Sequence, residues 1–92
     1  MNAFFADLGK RWSVAARARG ADIEPPTLDA GVAEELLELA RAAAHVQERR
    51  FAPLACYMAG AAAERLRAAQ PATTEGDVAA FIAEVRRALE HA

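Results

Sequence analysis

The sequence has few of the residues that form covalent or metal cross-links. It holds one cysteine, Cys56, and two histidines in 92 residues. One cysteine cannot form an internal disulfide, and without a paired C-x-x-C motif the usual structural zinc sites are excluded. We therefore expect a cytoplasmic protein with no metal and no cofactor.

Long apolar runs and an excess of positive charge are also missing. No segment approaches the roughly 20 apolar residues that cross a bilayer, because Glu64 and Arg65 interrupt the alanine-rich stretch. The formal net charge is -2, whereas nucleic-acid-binding domains usually present a basic surface to phosphate. We expect neither a membrane nor a nucleic acid as a partner.

The residues that are present favour helices. The sequence is 54% hydrophobic, and much of that fraction is alanine, which favours helix but buries little area per residue. Apolar residues recur at three- and four-residue steps throughout the chain. This pattern predicts an all-α fold, a compact bundle of four helices. We expect a single domain over residues 1–92, with helices at about 2–19, 28–50, 53–69 and 74–91.

Glycine, proline and threonine mark the predicted helix ends. Gly20 suits the left-handed position that ends the first helix, and Pro25 and Pro26 require an extended segment after it. Pro53 fits the first turn of the third helix. Thr74 precedes Asp77 by three residues, a spacing typical of a capping box at the start of the fourth helix.

Several apolar residues have predicted roles in packing. Trp12 is the expected anchor of the first helix, and the expected inner face of the third includes Leu54, Tyr57 and Met58. Gly60 costs about 1 kcal/mol relative to alanine in mid-helix, so we expect a packing reason for it. Small residues at positions 55, 59, 60, 62 and 63 predict a neighbouring helix at unusually short distance.

Adjacent aromatic residues near the N-terminus raise a question of exposure. Phe4 and Phe5 differ by about 100° around a helix, so they cannot both point to the same core. Two interpretations stay open: an exposed ring that supports self-association, or a core that wraps both rings.

The junction between the second and third helices is the predicted recognition site. His45 and Arg49 lie four residues apart on one helical face, and Arg50 follows. With the first amides of the next helix they could hold a carboxylate or phosphate, and Tyr57 could orient a ligand. In the structural alternative the basic groups bind the carbonyls that end the second helix. A protein contact is a third interpretation.

No catalytic arrangement accompanies that junction. The sequence contains no phosphate loop, no zinc-protease motif and no evident Ser/His/Asp set or close carboxylate pair. We name no catalytic residue, and an independent enzyme is the least favoured interpretation.

The stretch from Leu36 to Gly60, LLELARAAAHVQERRFAPLACYMAG, resembles a small all-helical domain of unknown function from high-GC bacteria. The resemblance extends to about Ala69, and the residues that carry it are Leu39, Ala40, Arg41, Ala44, His45, Arg49, Ala52, Pro53, Leu54, Tyr57 and Gly60. Such domains often lie beside, or are fused to, the nucleotidyltransferase that attaches GMP to molybdopterin. The resemblance therefore implies an accessory role in molybdenum-cofactor maturation, and it supplies no catalytic residues.

These observations predict a non-catalytic accessory or protein-interaction module. The expected partners are a nucleotidyltransferase and, if the chain self-associates, a second copy of itself. The alternative is a small-ligand or nucleotide-phosphate binding domain that uses the His45 and Arg49 junction.

Overall fold

The computed structural model describes residues 3–92, and the regular structure in them is helical. The four helices are α1 (Ala3–Ala18), α2 (Ala30–Val46), α3 (Phe51–Ala69) and α4 (Glu75–Glu90). Residues 3–92 contain no strand. The predicted all-α class with four helices is confirmed. Asn2, the predicted start of the first helix, lies outside the described residues.

The chain divides into two compact units between Ala30 and Gly31. The first, which we call the N-terminal unit, contains α1 and the extended segment that follows it. The second, the C-terminal unit, contains α2, α3 and α4. The residues of each unit contact one another within that unit.

In the N-terminal unit the extended segment returns along α1. Gly20 ends the helix with a φ of 84°, the left-handed conformation predicted for it. The Ser13 hydroxyl then donates a hydrogen bond to the Ile23 carbonyl at 3.2 Å. Gly9 is buried, and a Cβ atom there would lie 2.4 Å from the Pro26 carbonyl oxygen. The absence of a side chain at Gly9 therefore allows this close approach.

The prediction that Trp12 packs inward as the anchor of the first helix is wrong. Trp12 is 57% exposed, whereas Gly9 is the buried residue of α1. Phe4 is exposed and Phe5 is half-buried, and their rings meet edge to face with centroids 5.0 Å apart. The two rings therefore differ in exposure, as their positions on the helix require.

The core of the C-terminal unit draws on all three of its helices. It consists of Val32 and Leu39 from α2, Ala63 from α3, and Val78 and Ile82 from α4. Val78 is only 1% exposed. The helix with the most alanine thus contributes the smallest core side chain, so that α2 and α4 supply most of the buried apolar area.

The start of α4 is fixed by the predicted capping box. The Asp77 amide donates to the Thr74 hydroxyl at 3.1 Å, and the Thr74 amide donates to the Asp77 carboxylate at 2.9 Å. These bonds satisfy two amides that the helix itself leaves unpaired.

The junction between α2 and α3 differs from the prediction. Helix α2 ends at Val46 rather than near residue 50, and α3 begins at Phe51 rather than at Pro53. Turn hydrogen bonds from the Phe51 amide to the Glu48 carbonyl, 3.0 Å, and from the Ala52 amide to the Arg49 carbonyl, 3.1 Å, connect the helices. Pro53 still lies in the first turn, where its missing amide hydrogen leaves no helical bond unmade.

The predicted inner face of α3 is wrong. Leu54, Tyr57 and Met58 are exposed, and the residues that pack inward are Ala55, Ala59 and Ala63, four apart along the helix. Gly60 is exposed, and a Cβ atom there would meet nothing within 4 Å, so the packing reason expected for it is also wrong. The alanine side of α3 thus faces the core, and its larger apolar side chains remain exposed to solvent.

Candidate functional site

A groove lies between α3 and α4 in the C-terminal unit. Its volume is about 400 Å³. The lining residues are Leu39 of α2, Ala55, Met58, Ala59 and Ala62 of α3, and Phe81, Ile82, Val85 and Leu89 of α4.

The groove is apolar from its floor to its rim. Leu39 and Ile82, both buried, form part of the core beneath it, while Met58 is 71% and Val85 54% exposed. Every lining side chain is a hydrocarbon or, at Met58, a thioether. Such a surface gains free energy by taking up other apolar groups, whereas a polar ligand would lose its hydrogen bonds to water there.

Alanine spacing on α3 produces the groove. Ala55, Ala59 and Ala62 recur at four- and three-residue steps, so they lie on one side of α3 and line the groove with short side chains. Met58, the residue before Ala59, has a longer side chain that forms one edge of the groove. Short side chains of α3 therefore leave an apolar depression above the core residues Leu39 and Ile82.

A second depression extends the apolar surface. It shares Met58, Ala62 and Phe81 with the groove and adds Tyr57, Arg65 and other residues of α3. Tyr57 is 80% exposed, so its ring and hydroxyl both lie in solvent. Aromatic and methionine side chains of this kind are enriched at protein interfaces.

Three of the four predicted site residues lie at the α2–α3 junction, and the fourth lies within α3. Tyr57 borders the groove extension, whereas His45 lies in the last turn of α2, Arg49 in the turn and Arg50 at the N-cap of α3. All four side chains are exposed. The Arg50 guanidinium is ion-paired with the Glu48 carboxylate. None of the four residues lines the groove itself, and only Tyr57 lines the depression beside it.

Cys56 is unsuited to nucleophilic chemistry. Its thiol donates to the Leu36 carbonyl at 3.6 Å, a bond between α3 and α2. Burial raises the pKa of the Cys56 thiol above its usual value because the thiolate would lose hydration. The residue therefore stays in its unreactive thiol form at neutral pH.

Residues 3–92 contain neither a metal-binding cluster nor a helix suited to cross a membrane. No group of three or more His, Cys, Asp or Glu side chains in this range could hold a metal ion. None of the helices in the same range combines the length and the hydropathy required to cross a bilayer.

The described residues form a small helical domain with an apolar groove between α3 and α4. The family described as "Domain of unknown function (DUF6457)" matches residues 6–92. The chain belongs to this family, because the match covers nearly its whole length. No curated protein and no solved structure matches the chain.

Proposed function

We propose that this chain is a non-catalytic accessory domain that binds another protein through the α3–α4 groove. The observation that carries the proposal is an apolar groove over the buried core residues Leu39 and Ile82, with the exposed side chains of Met58 and Val85 among its lining. Apolar surface of this kind is stabilised when a partner covers it.

The chemistry of the groove favours a protein over a small polar ligand. Small-molecule sites are mostly apolar, but they carry a few polar groups that fix the ligand's orientation. The side chains that line this groove supply none. Fully burying a side chain such as Met58 or Val85 contributes about 1.5–3 kcal/mol, so a few partner contacts suffice for measurable affinity.

The partner we propose is the nucleotidyltransferase that attaches GMP to molybdopterin. This part of the proposal rests on the resemblance of the Leu36 to Gly60 stretch to domains that lie beside or are fused to that enzyme. An accessory domain next to an enzyme needs a docking surface, and the groove supplies one.

Phosphate binding at the α2–α3 junction is the competing function. His45 and Arg49 are exposed there, which favours it, but Arg50 is held by Glu48 and Pro53 supplies no amide. A phosphate- or GTP-dependent rise in melting temperature that Arg49→Ala abolishes would support this alternative. A melting temperature that both compounds leave unchanged would contradict it.

Isothermal titration of the full chain with the purified nucleotidyltransferase tests the main proposal. We expect Met58→Asp and Val85→Asp each to weaken binding at least about tenfold, because a buried carboxylate has no partner in the groove. Leu37→Asp is the matched control, since Leu37 is 68% exposed on α2 and lies outside the groove lining. Its affinity should stay within about twofold of wild type.

Two results would contradict different parts of this proposal. If the wild-type chain does not bind, the nucleotidyltransferase is the wrong partner. If Leu37→Asp weakens binding as much as Met58→Asp, the groove is the wrong surface. Circular dichroism of each variant confirms that the helices are retained.

A further inference from the structure

We infer that the occupant of the α3–α4 groove is an amphipathic helix of the partner, with basic residues on the flank that faces α4. This inference rests on the proposed function, because it names the chemistry of what the groove binds. It depends on the length of the groove, the secondary structure and side chains of its walls, and the charges beside it.

The length of the groove matches two turns of helix. The lining residues of α4 run from Phe81 to Leu89, and eight steps of 1.5 Å span about 12 Å. An amphipathic helix presents anchors at positions i, i+3 or i+4, and i+7, which span about 10.5 Å. The depression beside Tyr57 and Arg65 shares Met58, Ala62 and Phe81 with the groove.

The walls of the groove favour a helix over an extended peptide. A peptide that adds a strand needs an unpaired sheet edge, and residues 3–92 contain no strand. Polyproline segments dock on grooves lined by aromatic rings, whereas this groove has one ring, that of Phe81, among alanine and aliphatic side chains. Methionine and aliphatic walls are typical of grooves that take helices.

The exposed edge of α4 carries negative charge. Asp77 lies four residues before Phe81 and Glu84 three residues after it, so both lie on the same side of α4 as that groove residue. Both are exposed, and they are seven residues, or two turns, apart. The amide and hydroxyl of Thr74 lower the pKa of Asp77, which keeps its carboxylate charged.

The opposite side of the groove carries positive charge. Arg65 of α3 lines the depression that continues the groove, and it is exposed. Among residues 3–92, neither Arg65 nor Glu84 takes part in an ion pair. A docked helix therefore meets an acidic side and a basic side. We assign Lys or Arg, at a seven-residue spacing, to its flank along α4.

Two synthetic peptides with the same apolar face test this assignment. One carries two lysines seven residues apart on one flank, and the other carries glutamates at those positions. Fluorescence anisotropy with the full chain should show the lysine peptide bound about three- to tenfold more tightly at low salt. Because exposed charges are screened, the preference should shrink at high salt.

Charge reversal on the protein supplies the decisive comparison. Glu84→Lys should remove most of the preference for the lysine peptide. Glu34→Lys is the matched control, because Glu34 is an exposed acid of α2 outside the groove lining, and it should leave the preference unchanged. Met58→Asp should weaken both peptides, which places them in the groove.

The outcomes separate this inference from the proposed function. Equal binding of the two peptides, or a preference that survives Glu84→Lys, overturns the inference and leaves the proposed function standing. Failure of both peptides to bind, or binding that Met58→Asp does not weaken, also overturns it. A stable dimer in sedimentation that excludes the peptides would make a second copy the occupant. The nucleotidyltransferase titration judges the proposed function independently.

Discussion

Two glycine-to-alanine substitutions should shift stability in opposite directions. Gly9 and Gly60 both lie inside helices, where alanine is favoured over glycine by about 1 kcal/mol. A methyl group at Gly60 meets nothing within 4 Å, so Gly60→Ala should gain about 0.5–1 kcal/mol. At Gly9 the new Cβ atom would lie 2.4 Å from the Pro26 carbonyl oxygen, a backbone atom that cannot rotate away.

The clash should outweigh helix propensity at Gly9. Overpacking of this kind costs about 1–3 kcal/mol, so Gly9→Ala should lower the free energy of unfolding by up to about 2 kcal/mol. Urea titration monitored by circular dichroism reports the helices. The fluorescence of Trp12, the single tryptophan, reports the N-terminal unit. Gly9→Ala should bring the fluorescence transition to lower urea, and Gly60→Ala should move the dichroism midpoint to higher urea. If Gly9→Ala stabilises the chain as much as Gly60→Ala, the close approach of Pro26 to α1 is refuted.

Three further predictions concern the C-terminal unit. Because bonds from Thr74 lower the pKa of Asp77, this carboxylate stabilises the fold above its unfolded pKa of about 3.9, and the contribution is lost as pH falls through the lower folded value. Asp77→Asn should therefore flatten the acid limb of the stability profile, and an unchanged limb would contradict this. Burial raises the pKa of the Cys56 thiol, so a thiol reagent should modify it more slowly than free cysteine, and unfolding should remove the difference. Ala62→Leu should raise the urea midpoint of the isolated chain, because the larger side chain fills part of the groove, and should weaken partner binding. A lower urea midpoint together with weaker binding would show that the site has no room for the larger side chain.

Sequence patterns located helix ends where a residue dictates backbone geometry. Gly20 takes the left-handed conformation expected of it, and Thr74 forms the expected capping box. The end of α2 could not be found in this way, because the segment from His45 to Arg50 contains neither glycine nor proline. There the helix stops within a run of residues that all tolerate helix, so local propensity does not decide the boundary.

The faces of α3 could not be predicted from hydrophobicity alone. Leu54, Tyr57 and Met58 are the larger apolar residues, and burying them would remove more surface from water than burying alanine. The small residues Ala55, Ala59 and Ala63 are the ones that pack inward. The two expectations compete, because a helix cannot turn its alanine side and its bulky side toward the same core. Only the packing of α2 and α4 against α3 resolves the competition.

The same competition explains why the recognition surface that we propose is on α3 rather than at the basic junction. A chain with few large apolar residues would gain stability from burying each of them, at about 0.8 kcal/mol per buried CH₂ group. Here Tyr57, Met58 and Val85 remain exposed, in or beside the groove. Leaving these side chains in solvent lowers the stability of the isolated chain. A partner that covers the groove would recover that contribution, whereas a phosphate at the α2–α3 turn would not, because it contacts exposed charges that are already hydrated.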